Sequence, residues 1–246
     1  MASASSVGRQ WRPADVAVLN QRFDGRAADA LAEVLLRPEY GRVAVVSSFG
    51  AESAVLLHQV ARLNRHIPVL FVSTGWLFPE TLGYASDLAR WLRLEDVRIL
   101  EPDPAVLAAK DGQRLRWSYD PDGCCEIRKA APLAAALAEF DCWISGRKRE
   151  QAATRKSMQL FEADGAHLKL NPLVEWSAAA LSAYAAEQAL PPHPLVAEGY
   201  PSIGCSPCTS KVLPGEDPRA GRWRGWDKTE CGIHKAPPPP GSDPVF

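Results

Sequence analysis

The chemistry of this 246-residue sequence is concentrated in its cysteines. Cys124 and Cys125 are adjacent, Cys205 and Cys208 form a C-x-x-C pair, and Cys231 lies alone near the C-terminus in the run Glu-Cys-Gly-Ile-His. Four soft, anionic sulfurs suit zinc or an iron-sulfur cluster. A fifth thiol, after sequence rich in Gly, Arg and Trp, is hard to explain as a ligand or as core. The pattern therefore predicts a four-thiolate metal site and one thiol that is kept free for reaction.

The adjacent pair bears on the kind of metal centre. Cys124 and Cys125 lead into an apolar run, Ala130 to Phe140, that is typical of a helix. Neighbouring residues on a helix point about 100° apart, so two adjacent thiolates fit awkwardly on one zinc ion and more easily on two corners of a larger cubane. This favours a 4Fe-4S cluster. A zinc staple that pins the C-terminal region to the core is the alternative.

Cys231 is the candidate nucleophile. Thiolate is the reactive form of cysteine, and neighbouring cations favour it. The alternative is an inert exposed thiol. The basic residues near Cys231 in the sequence are Arg222, Arg224, Lys228, His234 and Lys235.

Bulk composition argues against some classes of function. The net charge of −1 leaves no basic excess to replace counterions on a nucleic acid or an anionic membrane. Met1 to Pro13 contains Arg9 and Arg12 and lacks the apolar stretch of a signal peptide, and no run reaches the roughly 18 apolar residues of a membrane span. We therefore expect a cytoplasmic protein with reduced cysteines, no nucleic-acid partner and no membrane partner.

Apolar strands and amphipathic helices alternate over the first two thirds of the sequence. This order predicts an α/β fold with a parallel sheet and helices on both faces. Cys142 is then an ordinary buried strand residue. The predicted strands are Val43–Ser48, Ile67–Ser73, Val97–Leu100 and Cys142–Ser145, and the predicted helices are Glu52–Leu63, Pro79–Leu92 and Ala178–Leu190, the last with Ser177 as its N-cap.

The pattern changes after the last predicted helix. Pro, Gly and Trp become frequent and neither period persists. We expect an α/β nucleotide-binding domain over residues 1–198, which includes the first cysteine pair. A C-terminal segment, residues 199–234, then carries the second pair and Cys231, and residues 235–246, with four consecutive prolines, form a disordered tail.

Two turns that follow predicted strands are candidate anion sites. The run from Ser48 to Ser53 joins the first strand to its helix, where free backbone N–H groups and the helix dipole favour an anion and Gly50 permits close approach. It lacks the Gly-Lys-Ser/Thr of a Walker loop, and an ordinary turn is the alternative. Thr74 and Gly75 follow the second strand at the same carboxyl edge, so the two turns could hold a nucleotide between them.

A third candidate is the basic turn after the strand that contains Cys142. It runs from Gly146 to Gln151 and continues to Arg155 and Lys156, with five cations against one carboxylate. That charge suits a phosphate or sulfate oxyanion. A solvated run of surface charge is the alternative.

Taken together, these motifs resemble the assimilatory adenylyl-sulfate (APS) reductases of the iron-sulfur type, in the PAPS/APS reductase family. The resemblance runs from about Val43 to His234. The motifs that carry it are Cys124-Cys125-x-x-Arg128-Lys129-x-x-Pro132-Leu133, Gly199-Tyr200-x-Ser202-Ile203-Gly204-Cys205-x-x-Cys208-Thr209, Arg219-x-Gly221-Arg222-Trp223 and Glu230-Cys231-Gly232-Ile233-His234.

The resemblance implies an adenine-nucleotide α-hydrolase-like fold with a modified pyrophosphate loop at Ser48 to Ser53. ATP pyrophosphatases of that fold normally carry Ser-Gly-Gly-x-Asp-Ser. Phe49 stands here in place of the first glycine and Glu52 in place of the aspartate, which argues against ATP cleavage. Ser73 stands where many relatives have aspartate, and the segment between Arg222 and Cys231 is shorter than in some of them.

The resemblance also implies a reaction. The Cys231 thiolate would attack the sulfur of APS, expel AMP and become S-sulfocysteine, and reduced thioredoxin would then release sulfite for cysteine biosynthesis. Cys231 would have to enter the site and emerge again, so its segment should move. The resemblance is compatible with a homo-oligomer.

Site residues follow by the same resemblance. The catalytic residues would be Cys231, His234 and Lys129. The 4Fe-4S ligands would be Cys124, Cys125, Cys205 and Cys208. The substrate-binding residues would be Ser48, Gly50, Glu52, Ser53, Thr74, Gly75, Gly146, Arg147, Arg155, Arg219 and Arg222, of which the arginines, with Lys129, would face the phosphosulfate.

Three other functions compete with this interpretation. A PAPS reductase would perform the same chemistry on a 3′-phosphorylated substrate, but its cluster-free forms lack the paired cysteines. A zinc-bearing adenylating enzyme of the same fold that modifies tRNA would need ATP and an RNA surface. A redox or metal-storage module would not need Cys231 for activity.

Overall fold

The computed structural model describes residues 11–233. Its centre is a six-stranded sheet. The strands are β1 (Val43–Val46), β2 (Val69–Val72), β3 (Val97–Leu100), β4 (Cys142–Ser145), β5 (Phe161–Asp164) and β6 (His167–Leu170).

The strand order is β3-β2-β1-β4-β6-β5, which puts β1 near the middle. β1 pairs in parallel with β2 and β4, while β2 pairs in parallel with β3 and β4 with β6. Val45 lies opposite Val69 on one side and Ile144 on the other. β5 is antiparallel to β6 at the edge. The carboxyl ends of β1, β2 and β4 therefore meet at one edge of the sheet.

Nine α-helices occur within residues 11–233. They are α1 (Pro13–Arg22), α2 (Ala27–Leu36), α3 (Ser53–Leu63), α4 (Pro79–Leu92), α5 (Pro104–Lys110), α6 (Pro121–Cys125), α7 (Ala131–Leu137), α8 (Ala178–Glu187) and α9 (Pro194–Ala197). A π-helical turn, Glu126–Ala130, joins α6 to α7.

The helices cover both faces of the sheet, as predicted. Successive strand residues point to opposite faces of the sheet. Val45 of β1 therefore packs in the larger core cluster, which also contains residues of α3, whereas Ala44 packs in a smaller cluster. Leu133 and Leu137 of α7 pack in that smaller cluster. Both clusters exclude water, so the two faces together hold the sheet in place.

Several predicted elements are confirmed to the residue. The helix Pro79–Leu92 and the strands Val97–Leu100 and Cys142–Ser145 have the predicted bounds. The hydroxyl of Ser177 accepts a hydrogen bond from the Ala180 N–H, which makes it the N-cap of α8. Cys142 is fully buried, as expected of an ordinary strand residue.

Other predicted bounds are too long. The strands Val43–Ser48 and Ile67–Ser73 end at Val46 and Val72, because the residues that follow turn toward the edge of the sheet. The predicted helix Ala178–Leu190 ends at Glu187. The α1 and α2 helices and the β5–β6 hairpin were not predicted, and β5 makes the sheet mixed, with one antiparallel edge strand.

The C-terminal segment contains neither an α-helix nor a strand between residue 199 and residue 233. Its ordered features are a 3₁₀ turn at Ser206–Cys208 and two isolated bridges. The division at residues 198 and 234 stays a prediction, and residues 235–246 lie outside the described part. None of the helices between residues 11 and 233 has the length and apolar character needed to cross a bilayer.

Replacing Leu57 of α3 by alanine should lower the free energy of unfolding by about 2–5 kcal/mol, because its side chain is fully buried and the change leaves a cavity. Leu63→Ala, on the same helix but 36% exposed, should cost less than about 1 kcal/mol. Urea denaturation followed by circular dichroism measures both. Equal losses would contradict the assignment of Leu57 to the core.

Candidate active site

A cavity of about 400 Å³ opens at the carboxyl edge of β1, β2 and β4. That is the edge at which open α/β sheets bind ligands, and the volume suits a small molecule. Gly75 lines a separate cavity instead, and His234 lies outside the described residues. The predicted catalytic and substrate-binding residues that line the cavity are Ser48, Gly50, Glu52, Ser53, Thr74, Lys129, Gly146, Arg147, Arg155, Arg219, Arg222 and Cys231.

Phe49, in the turn after β1, adopts a backbone conformation that usually requires glycine. Its backbone has φ = 47°, in the left-handed region that glycine adopts most easily. Its side chain is fully buried and packs edge-on against Phe71, with 4.9 Å between the ring centroids. Burial of the ring therefore offsets the backbone strain.

Glu52, predicted as a substrate contact, is already paired within the protein. Lys148 Nζ donates to its Oε1 at 2.6 Å, and Gln151 Nε2 donates to its Oε2 at 2.9 Å. The Lys148 side chain is only 3% exposed. In the described structure Glu52 therefore joins the turn after β1 to the basic turn after β4, and the sequence did not indicate this pairing.

Arginines that are partly or fully buried lie on one side of the cavity. Burial lowers the pKa of Arg147, and the neighbouring charge of Arg155 adds to that effect. Burial likewise lowers the pKa of Arg219, with further contributions from Arg222 and Arg155. The Nε atoms of Arg147 and Arg222 are buried and have no hydrogen-bond partner in the described structure. Because buried donors without partners are costly, this side of the cavity is suited to an anion.

Lys129 lies between the cavity and the cysteines. Burial opposes its charge, but the thiols of Cys205, Cys231 and Cys125 outweigh it and raise the pKa of Lys129. Burial also works against a thiolate at Cys205, but Lys129 and a hydrogen bond from Thr74 more than compensate, so the pKa of Cys205 is lowered. Lys129 therefore stays charged beside sulfur.

The four cysteines predicted as ligands come together from two parts of the chain. Cys124 interacts electrostatically with Cys125, Cys205 and Cys208. Burial, reinforced by those thiols, raises the pKa of Cys124 to about 12, and burial raises the pKa of Cys125 to about 11. A cationic centre among them would remove the repulsion between thiolates.

Four thiols are the donor set of a zinc site or of an iron-sulfur cluster, and the donor set alone does not separate the two. Within residues 11–233, no group of three or more Cys, His, Asp or Glu side chains is arranged to hold a metal ion. A tetrahedral zinc site needs all four sulfurs within about 2.3 Å of one centre. An iron-sulfur cluster instead takes the four thiolates at separate irons.

A hydrogen-bonded scaffold fixes the two cysteine pairs relative to each other. Arg128, in the π-helical turn after Cys125, forms a buried ion pair with Asp111 at 2.6 Å and donates to the carbonyl of Thr74 at 2.8 Å. The Thr74 hydroxyl lies 3.2 Å from the Cys205 sulfur. The sequence did not indicate Asp111, which is 17 residues from Arg128.

Cys231 lies at the cavity, and the two residues before it contact arginines that line the same cavity. Glu230 pairs with Arg155, and the carbonyl of Thr229 accepts from Arg219 Nη2 at 2.9 Å. The only sequence signal for Glu230 was its place beside the cysteine in the Glu-Cys-Gly-x-His motif.

The chain is similar to known proteins over most of its length. Residues 42–211 match the family described as "Phosphoadenosine phosphosulfate reductase domain". The adenosine 5'-phosphosulfate reductase of Chelativorans sp. is 47% identical over 218 residues, which are 88% of this chain and 89% of that protein. The phosphoadenosine 5'-phosphosulfate reductase of Gloeobacter violaceus is 40% identical over 223 residues, 88% of this chain and 92% of that protein.

A solved structure supports the fold. The phosphate complex of phosphoadenylyl-sulfate (PAPS) reductase from Candida auris aligns with a TM-score of 0.68 at 23% identity, over 83% of this chain and 100% of that chain. At that identity the likeness bears on the fold alone. It confirms the predicted adenine-nucleotide α-hydrolase-like fold.

Replacing Arg222 by alanine should weaken the binding of inorganic pyrophosphate by about tenfold or more, because a charged hydrogen bond contributes about 1.5–3 kcal/mol. Arg224→Ala is the matched control, since Arg224 is exposed and pairs with Glu216 away from the cavity. Isothermal titration calorimetry measures both. Equal affinities for the two variants would contradict an anion site at Arg222.

Proposed function

Because the chain belongs to the phosphoadenosine phosphosulfate reductase family, whose members are oxidoreductases, we propose that it reduces adenosine 5′-phosphosulfate to sulfite and AMP. The observation that carries this proposal is the thiol of Cys231 at a cavity lined by Lys129, Arg147 and Arg222. A nucleophilic sulfur thus adjoins buried donors that suit an anion.

The first step is attack by the Cys231 thiolate on the sulfur of the bound phosphosulfate. An S–S bond forms as the S–O bond to phosphate breaks, and AMP leaves with the bonding electron pair on its phosphate oxygen. Charge develops on that oxygen, so donors aimed at it lower the barrier. Arg147 and Arg222, whose buried Nε atoms lack partners in the described structure, are suited to that role.

The second step is attack by a thiolate of reduced thioredoxin on the Cys231 sulfur. Sulfite leaves, and a mixed disulfide joins the two proteins. The second thiol of thioredoxin resolves this disulfide, so that both electrons come from the dithiol and the Cys231 thiol is restored. Cys231 is half-buried and must become accessible for this step.

We propose that Cys124, Cys125, Cys205 and Cys208 hold a 4Fe-4S cluster. Two observations support this proposal: Cys124 interacts electrostatically with the other three cysteines, and Thr74 forms a hydrogen bond with Cys205. When bound, the group supplies local charge and ties the C-terminal segment to α6. Lys129, which lies toward both the thiols and the cavity, stays protonated and orients the anionic substrate.

The unmodified nucleotide is the proposed substrate because the full four-cysteine set is present, although relatives carry the names of both APS and PAPS reductases. We propose that the reaction occurs in the cytoplasm, in sulfate assimilation toward cysteine, without a nucleic-acid or membrane partner. The test of the substrate is the rate of sulfite release, measured separately with APS and with its 3′-phosphorylated form. Faster release from the 3′-phosphorylated one would favour the PAPS alternative, and ATP-to-AMP turnover without sulfite would favour the tRNA-modifying alternative.

Cys231→Ser should abolish sulfite formation while its iron content stays at the level of the unsubstituted protein, because the serine hydroxyl is a much weaker nucleophile. After anaerobic incubation of the unsubstituted protein with APS, intact-mass measurement should detect the gain of one sulfonate. Mass spectrometry of the digested protein should place it on the Cys231 peptide. Reduced thioredoxin should remove it. A sulfonate on another cysteine, or full activity of the serine variant, would contradict the proposal.

Cys208→Ala should lose most of the bound iron, because one of four thiolate ligands is removed. Cys142→Ala is the control, since Cys142 is fully buried in β4 and belongs to the main core cluster. Anaerobically purified protein should be brown and carry about four irons per chain. One zinc per chain in colourless protein would contradict the cluster.

A further inference from the structure

Glu230, the residue before Cys231, forms a two-point ion pair with Arg155. Arg155 Nε donates to Glu230 Oε1 at 2.5 Å, and Nη2 donates to Oε2 at 2.7 Å. The two residues are 75 positions apart. The Glu230 side chain is 20% exposed and the Arg155 side chain is 7% exposed. The pair therefore joins the C-terminal segment to the basic turn after β4 with fixed geometry.

Arg155 differs from the other arginines of the cavity in how its donors are used. Its third nitrogen, Nη1, donates to the side chain of Gln151. Arg147 and Arg222 instead keep buried Nε atoms without partners in the described structure. The cavity thus has donors left for an anion even while Arg155 holds Glu230.

The Glu230 carboxylate keeps its charge in this setting. Burial works against the charge, but the hydrogen bonds and charge of Arg155, together with Arg219 and Arg147, outweigh it. The pKa of Glu230 is lowered as a result. The ion pair therefore persists throughout the neutral pH range.

Further contacts hold the chain on both sides of Glu230 and Cys231. Ile233 packs against the smaller core cluster beneath α7, and Lys228 pairs with Asp122 of α6. Gly232 has φ = 82°, which lets the chain turn between Cys231 and Ile233. Because the segment has no α-helix or strand between residue 199 and residue 233, such side-chain contacts determine the position of the thiol.

We propose that Glu230 is a positioning residue: by pairing with Arg155 it holds the Cys231 thiol at the cavity for attack on the bound anion. This inference rests on the proposed function, in which Cys231 is the nucleophile. Release of the pair would let the segment open, which is what the second step requires.

The test compares Glu230→Gln with Glu216→Gln. Glu216 is a matched control because Arg224 also binds it at two points, 3.1 and 2.9 Å, but both residues lie within the C-terminal segment. The first measurement is alkylation of Cys231 by iodoacetamide in anaerobic holoprotein, resolved by peptide mass spectrometry across a range of pH.

Glu230→Gln should raise the plateau rate of Cys231 alkylation at high pH by about tenfold, equivalent to about 1.4 kcal/mol, whereas Glu216→Gln should leave it unchanged. The plateau matters because removing a neighbouring negative charge would by itself shift only the pH midpoint. Glu230→Asp keeps the charge on a shorter side chain, so its plateau rate should lie between those of the unsubstituted protein and Glu230→Gln. An unchanged plateau for Glu230→Gln would overturn the proposal.

The second measurement is the rate of Cys231 sulfonation at saturating APS. Glu230→Gln should lower it by about tenfold without weakening pyrophosphate binding, because Arg147 and Arg222 are intact and a negative charge beside them is removed. If pyrophosphate affinity fell by the same factor as the sulfonation rate, the defect would be in anion binding, and the positioning role would be overturned. If the unsubstituted protein is not sulfonated, the proposed function fails, and the alkylation result still reports whether Glu230 holds the segment.

Discussion

The site depends on the balance between partly buried cations and sulfur at one edge of the sheet. Negative charge on the neighbouring sulfurs raises the pKa of Lys129, and the charge of Lys129 in turn favours the Cys205 thiolate. In a medium of low polarity neither charge would be stable alone. Arg147 and Arg222 add positive charge, and their Nε atoms, which lack hydrogen-bond partners among the described residues, make the cavity suited to an anion.

The parallel sheet makes this arrangement possible. β1, β2 and β4 end at one edge, so the turns that follow them supply Gly50, Thr74 and Arg147 to a single cavity. The C-terminal segment then crosses the same edge. Its Ser206 N–H bonds to the carbonyl of Trp76, 2.7 Å away, which brings Cys205 beside the turn after β2.

Substitutions in the pyrophosphate loop change what the loop can do. Phe49 adopts a backbone conformation suited to glycine and is held there by burial, so the turn keeps its shape. Glu52 gives both carboxylate oxygens to Lys148 and Gln151. The loop thereby serves to fix the basic turn, and in the proposed function the chemistry belongs to the thiol of Cys231, which the C-terminal segment brings to the same cavity.

The sequence by itself determined the alternating α/β order and motifs most of whose predicted catalytic and substrate-binding residues line the cavity, because apolar periodicity and motif spacing are local signals. It missed the β5–β6 hairpin, whose short strands carry weak periodicity. Only the tertiary structure decided which charges meet. Glu52 with Lys148, Arg128 with Asp111 and Glu230 with Arg155 lie far apart in the chain, and folding alone sets such pairings.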